Sequence, residues 1–416
     1  MLETKYIVPG YITISKEDDY FFLCNQYTSA KVKLQNQYFQ EYADIYNHGI
    51  NSLDTELSNF LYNNRFFLPK EEVTNVINSY YAANDSRLYI TIMPTEACNF
   101  RCIYCYENHT VNEEKKLNYD AILDFINKQL NLHSFQSIAI MWFGGEPMLR
   151  MNEITTFMQK LKQSLETKQI QLLSNITTNG YFLTEENFTR LIDASVNEFQ
   201  ITLDGDKHDS FRVLADNSPT LSIIMQNIER MHQTDKNFHA IIRVNIDKTS
   251  GNNDAFYKKL SDVIGSEERF TISIHNIFSD PEIKNDNIDY CKSSELLEKN
   301  KKVAKDNGLT INEDTNHSPI DTCYANCKNS FVFRPNGSIV KCTVSLNEEW
   351  NQIGEYSKEA YQFDSNTNDK LVRHVQKDTC NYCTNIIDCE KTTCLKQLFI
   401  DKTCNYSRKE IAYDII

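Results

Sequence analysis

The sequence contains no run of about 18 apolar residues, so no stretch of it reads as a membrane-spanning helix. It has no excess of positive charge either. Lys and Arg number 43 against 57 Asp and Glu, a formal net charge of −14. Nucleic-acid phosphates call for a basic surface, so this balance argues against a nucleic-acid partner, and it disfavours an anionic membrane surface. The first ten residues, MLETKYIVPG, carry neither a basic n-region nor an apolar h-region. No secretory signal is expected, and the chain reads as cytoplasmic. Glycine is scarce, with 11 in 416 residues, and there is no fixed-period repeat or low-complexity tract. What remains is a well-packed globular chain with length for two or three domains.

What the sequence does have is aromatic side chains, 23 Tyr and 23 Phe, and 13 cysteines. Structural disulfides are rare in a reducing compartment, so the cysteines read as metal ligands or as buried thiols.

Three segments differ in rhythm. Residues 1–85 look like a small module. YFFLCNQYTSAKVKL (20–34) reads as two short strands around a polar turn, and LDTELSNFLYNN (53–64) and EEVTNVINSYYAA (71–83) have apolar residues at helical spacing. Two strands and several helices fit a winged-helix-like domain, and equally an N-terminal decoration on the next domain. Residues 86–310 alternate strand and helix. Candidate strands are 88–95, 137–145, 172–180, 198–205, 240–247 and 270–276, with helical patterns such as YDAILDFINKQLNL (119–132) between them. Such alternation predicts an α/β fold with a parallel sheet. Six units suggest a partial (β/α)6 TIM-like barrel, with chemistry at the C-terminal ends of the strands. Residues 311–416 lose this regularity and gain cysteines, as in a tail held together by metal.

Just after the first barrel strand stands EACNFRCIYCYE, which sets Cys98, Cys102 and Cys105 in a C-x3-C-x2-C array. Three thiolates on one loop can hold three irons of a [4Fe–4S] cube and leave the fourth open. Zinc wants four ligands and fits this spacing poorly. Further polar groups follow the next three strands in order. They are GGEP (144–147) after the second, TTNG (177–180) after the third, and ITLDG (201–205) after the fourth.

This ordered set resembles the radical S-adenosylmethionine (radical SAM) superfamily. The resemblance implies that the open iron chelates the amino and carboxylate groups of SAM. Reductive cleavage then yields a 5′-deoxyadenosyl radical that abstracts a substrate hydrogen. It also implies that Gly144, Gly145 and Glu146 bind the SAM amino group, where two glycines allow close backbone approach and a carboxylate suits an ammonium. By the same resemblance Asn179, Thr202 and Asp204 line the ribose and methionine, Tyr104 lies against the adenine, and Arg212 reaches the SAM carboxylate.

Ten cysteines remain after the first three. Cys24 and Cys291 have no cysteine neighbour and read as buried or idle thiols. The other eight are Cys323, Cys327, Cys342, Cys380, Cys383, Cys389, Cys394 and Cys404. Eight suits two fully ligated clusters and equally two zinc ions. Their spacing, with Gly337 between Cys327 and Cys342 and then C-x2-C-x5-C-x4-C, resembles the SPASM extension of radical SAM enzymes. The family usually has three residues before the last cysteine of that run, and this chain has four. The resemblance implies two auxiliary [4Fe–4S] clusters, three clusters in all. One would take Cys323, Cys327, Cys342 and Cys394, the other Cys380, Cys383, Cys389 and Cys404.

SPASM enzymes mostly act on ribosomally made peptides and proteins. Two activities compete. Sulfatase-maturing enzymes place an Asp after the cysteine that corresponds to Cys342, as a base; this chain has Thr343. Maturases of ribosomal peptide natural products cross-link side chains through thioether, carbon–carbon or ether bonds. Many begin with a winged-helix module that binds the leader of the precursor peptide as an added strand. The second activity is preferred, with a precursor peptide and an external flavodoxin- or ferredoxin-type electron donor as partners. A zinc-ribbon interaction protein would explain the last eight cysteines but not the strand-end motifs.

Overall fold

The computed structural model describes residues 5–17, 19–25, 28, 30–73, 75–76, 86–107, 117–277, 294–312, 324–357 and 361–372. It divides into two compact units, one of Met1–Ser86, His317–Lys328 and Ser365–Ile416 and the other of Arg87–Asn316 and Asn329–Asp364.

The first unit opens with β1 (Tyr6–Ile7), β2 (Ile12–Glu17), β3 (Tyr20–Asn25) and β4 (Lys31–Gln35), followed by helices Phe39–His48 and Glu56–Asn63 and by β5 (Leu68–Pro69). β2, β3 and β4 form an antiparallel sheet in that order, and β1 pairs with β5. The two strands expected within 20–34 are β3 and β4, and β2 adds a third. Alternation on β3 turns Phe21 and Leu23 fully inward. Phe21 meets the rings of Phe39 and Tyr42 on the first helix at 5.4 Å each. The second helix starts on a capping box between Thr55 and Ser58, which satisfies amides that the first turn leaves open. Residues 74 and 77–83 of the helix expected at 71–83 lie outside the described residues.

The second unit carries the six expected parallel strands: β6 (Arg87–Ile92), β7 (Ser137–Trp142), β8 (Gln171–Thr178), β9 (Glu198–Leu203), β10 (His239–Ile246) and β11 (Phe270–Asn276). They pair in sequence order, each with the next. The sheet does not close from β11 back to β6. Instead β12 (Ser330–Phe333) joins β6 in parallel, and β13 (Ser338–Val340), β14 (Gln352–Tyr356) and β15 (Tyr361–Phe363) continue antiparallel. The six units thus make an open, partial barrel. Strands of three to five residues are too short to leave a periodic signal, which is why residues 330–363 look irregular in the sequence.

Parallel sheets are usually apolar on both faces. This one alternates. Ile140 and Trp142 of β7, Phe199 and Ile201 of β9 and Ile242 of β10 are at most 1% exposed. Their face meets the helices, with Trp142 on Phe157 at 5.6 Å and Phe199 on Phe188 at 5.1 Å. The opposite face carries Thr202, Arg243 and Ser273 in one register row, and Asn245 and His275 in another. A closed barrel fills its interior with apolar layers. Here that face is polar, as a wall facing a ligand would be.

Candidate active site

Cys98, Cys102 and Cys105 lie on the loop that leaves the C-terminal end of β6. Backbone bonds stitch this loop down on two sides. Gly145 and Glu146 donate to the carbonyls of Thr95 (3.2 Å) and Ala97 (2.9 Å), while Arg101 and Ile103 donate to those of Val213 (2.8 Å) and Phe211 (3.0 Å). Arg334, just past β12, adds Nε and Nη2 bonds of 2.9 and 2.8 Å to Glu96.

The two glycines of GGEP answer to this closeness. A Cβ on Gly144 would lie 2.4 Å from the Thr95 oxygen, and one on Gly145 2.3 Å from the Ala97 oxygen. Gly144 also sits at φ +118°, a conformation that side chains disfavour.

Glu146 is wholly enclosed. Its Oε1 accepts from the Met148 amide (3.0 Å) and the Thr178 hydroxyl (2.8 Å), and its Oε2 from the Asn179 amide (2.8 Å). Burial raises its pKa, and those donors, led by the Asn179 and Met148 amides, pull it back. The carboxylate therefore ties the end of β7 to the end of β8. Asn179 in turn donates Nδ2 to Asn99 on the cysteine loop, at 2.8 Å.

Cys102 raises the pKa of both Cys98 and Cys105, so the three thiols share one neighbourhood. Burial, with their mutual charge, pushes Cys98 and Cys105 up to about 12, and burial raises Cys102. Three thiolates there require a positive partner. Among the described residues no three His, Cys, Asp or Glu side chains converge on a single metal ion. A cube does not ask that of them, because each thiolate binds a different iron.

Beside the thiols a polar knot joins the cysteine loop to β9, β10 and the short helix His208–Phe211. The Tyr104 hydroxyl donates to Asp204 Oδ2 at 2.6 Å, and accepts from Arg212 Nη1 (3.0 Å) and Asn245 Nδ2 (3.2 Å). Asp204 is fully buried, and burial raises its pKa to about 6 against the pull of Arg212 and the Tyr104 bond. A relay supports Arg212 from behind. The Asp204 amide donates to His208 Nδ1, His208 Nε2 pairs with the Thr220 hydroxyl at 3.0 Å, and that hydroxyl donates to the Arg212 carbonyl at 2.7 Å. These bonds assign the proton to Nε2. His208 stays neutral, since burial first and then the Arg212 charge hold its pKa far below the imidazole range. Arg212 is 7% exposed, and its buried Nε has no partner among the described residues.

The C-terminal cysteines divide. Cys323, Cys380, Cys383, Cys389, Cys394 and Cys404 lie outside the described residues, as does Cys291. Cys327 is buried in the first unit and Cys342 in the second. Asn351, fully buried, shapes the Cys342 loop. Its Oδ1 accepts from the amides of Lys341 (3.1 Å) and Cys342 (2.8 Å), and its Nδ2 donates to the carbonyls of Cys342 and Ser345 at 2.8 Å each. Asn351→Ala would strand three of those groups, since the Lys341 amide keeps a 3.1 Å bond to the Asn351 backbone carbonyl. A loss of about 4 kcal/mol is expected, measured by denaturant unfolding of the metal-free protein. A loss below about 1 kcal/mol would mean that water replaces the side chain.

Residues 92–269 match the radical SAM superfamily. They are a radical SAM domain. Such a domain implies a [4Fe–4S] cluster and SAM. Among curated relatives, the GTP 3′,8-cyclase of Nautilia profundicola is 31% identical over 119 residues, 28% of this chain and 35% of that one. A tungsten-containing aldehyde ferredoxin oxidoreductase cofactor-modifying protein of Pyrococcus furiosus is 27% identical over 116 residues, 28% and 30% of the two chains. The chain therefore spans about a third of the length of these curated relatives. Among solved structures, native anSMEcpe with bound AdoMet superposes with a TM-score of 0.55 at 18% identity, over 73% of this chain and 88% of that one. SuiB of Streptococcus suis bound to precursor peptide SuiA gives 0.53 at 14% identity, over 97% and 99%. At these identities the likeness is one of fold. No helix among the described residues is long and apolar enough to cross a membrane.

The radical SAM domain fits its implied cofactors on two observations. Three buried thiols share one loop, and a buried guanidinium nitrogen beside them has no partner among the described residues. Sequence reading missed Asn245, Asn99, His208, Thr220 and Asn351. Asn245 had a signal, since Arg243 and Asn245 interrupt the apolar strand AIIRVNID two residues apart.

Proposed function

We propose that the protein is a radical SAM peptide maturase. It would abstract a hydrogen from a ribosomally made precursor peptide and form an intramolecular thioether, carbon–carbon or ether cross-link. The likeness to SuiB carries this reading, because it runs through 97% of the chain, including both segments that flank the radical SAM domain. Further support comes from the first unit, whose β2 and β4 are the outer strands of a three-stranded sheet among the described residues. An extended leader could add to such an edge.

In this reading Cys98, Cys102 and Cys105 would hold the SAM-binding cluster. Gly144, Gly145 and Glu146 would receive the SAM ammonium. Glu146 accepts three bonds, and two carboxylate oxygens offer about four acceptor sites, so one is left. The Arg212 Nε would donate to the SAM carboxylate, the Tyr104 ring would flank the adenine, and Asn179, Thr202 and Asp204 would line the ribose and methionine. The remaining eight C-terminal cysteines would hold two auxiliary clusters in the crossed pattern given above. When bound, the cluster and SAM supply the 5′-deoxyadenosyl radical; the residues here orient SAM and exclude water. A sulfatase-maturing activity is disfavoured by Thr343, a buried hydroxyl where that reaction expects an acidic base.

Anaerobically purified protein should be brown and carry about twelve irons per chain. Reduced enzyme, SAM and a short peptide encoded beside the gene should give a product lighter by two hydrogens on mass spectrometry. A colourless zinc protein, an unmodified peptide, or conversion of a single Cys or Ser to an aldehyde would overturn this reading.

A further inference from the structure

Arg243 sits on the polar face of the sheet, between Thr202 and Ser273 in register. Its Nε donates to Asn245 Oδ1 at 3.0 Å. Its Nη1 and Nη2 take no hydrogen bond among the described residues, although the side chain is half-buried. A guanidinium offers five donors in a planar fork, so most of its capacity is unspent. The nearby compensation is already in use. Asp204 answers both Arg212 and Arg243, and its two oxygens are taken by Tyr104 and Asn245. Two guanidiniums thus share one carboxylate, within a chain whose net charge is −14. The positive charge there exceeds its carboxylate partner, which favours an anion.

The two arginines face different neighbours. Arg212 acts on the thiols of Cys98 and Cys102. The groups acting most strongly on Arg243 are Tyr104, Tyr106, Asp204 and Arg212, none of them a cysteine. Geometry separates them too: the Arg212 guanidinium lies 5.6 Å from the Phe100 ring on the cysteine loop, whereas Arg243 bonds Asn245 on its own strand, so a carboxylate chelated at the cluster falls to Arg212.

We propose that Arg243 is a specificity-determining residue that binds a carboxylate of the substrate, either an Asp or Glu side chain or a free C-terminus, through its open Nη1/Nη2 fork. This rests on the reading of a peptide substrate. A bidentate Arg–carboxylate pair is recognised far better than its amide analogue, so an acidic group should be preferred by about tenfold to a hundredfold.

The test pans short random peptides, each made as the free acid and as the C-terminal amide, against reconstituted holoenzyme loaded with SAM. Wild type should enrich Asp or Glu at one position, or the free acids as a class, which tells the two sources apart. Arg243→Gln should lose that preference, and Arg243→Glu should turn it toward Lys and Arg, both with SAM affinity within about twofold of wild type. Enrichment of peptides without an acidic preference, or a preference intact in Arg243→Gln, would overturn the inference and leave the maturase reading standing. So would a tenfold or larger loss of SAM affinity in Arg243→Gln that decarboxylated SAM does not share, since the carboxylate would then be that of SAM. If wild type retained no peptide at all, the maturase reading would fall and this inference with it.

Discussion

Gly145→Ala is expected to strip the iron from the cysteine loop while leaving the fold in place. The added Cβ would lie 2.3 Å from the Ala97 oxygen and 2.6 Å from the Ala97 carbon and the Glu96 oxygen. All three are backbone atoms of the loop that carries Cys98, so no side chain can swing aside. The loop itself has to lift, and its bonds from Gly145 and Glu146 go with it. Iron should fall by about four per chain. Whatever cluster is retained should cleave SAM on the order of a hundredfold more slowly, the effect of a displacement near 1 Å. Gly251→Ala is the control. Gly251 also has a positive φ, +63°, but a Cβ there meets nothing within 4 Å. What remains is local backbone strain, about 1–3 kcal/mol for a side chain at φ +63° and ψ −136°, with no push on the cysteine loop. Full iron content and normal SAM cleavage in Gly145→Ala would show that the close approach is dispensable.

Tyr104→Phe should have the second large effect, and it separates two roles of one side chain. The family resemblance assigns the ring to the adenine. The hydroxyl does something else, since it bonds Asp204, Arg212 and Asn245, which stand 100 to 141 residues farther along the chain. Phenylalanine keeps the ring and leaves a buried carboxylate and a buried guanidinium each short of a partner. A loss of about 3 kcal/mol is expected in denaturant unfolding, because charged groups left unpaired cost more than neutral ones. SAM cleavage should fall with it as Arg212 loses its brace, and Tyr104→Leu should add a further loss of SAM affinity through the missing ring. If Tyr104→Phe unfolded and cleaved SAM like wild type, the hydroxyl knot would have no part in holding Arg212.

The legible part of the site is the part that chemistry writes locally. C-x3-C-x2-C stands within one loop, and GGEP, TTNG and LDG each follow a strand by a residue or two. Local spacing alone therefore assigned them to the C-terminal ends of β6 to β9. The six strands were legible for a similar reason: each is six to eight residues of dense β-branched and apolar side chains, bounded by a helical pattern. β12 to β15 were not, because three to five residues give no period to read.

What the sequence by itself determined, then, was the order of strands and the kind of chemistry at their ends. The tertiary structure decided which way each group faces. Glu146 follows the second barrel strand in any reading, yet only the fold shows its oxygens turned inward to Met148, Thr178 and Asn179. Tyr104 and Asn245 stand 141 residues apart and meet at 3.2 Å. Arg243 and Ser273 share a row only because β10 and β11 pair in one register. Hydrogen bonds and electrostatic fields act over a few ångströms of space, and a sequence records distance only along the chain. Parallel pairing converts one into the other, and it exists only once the sheet has formed.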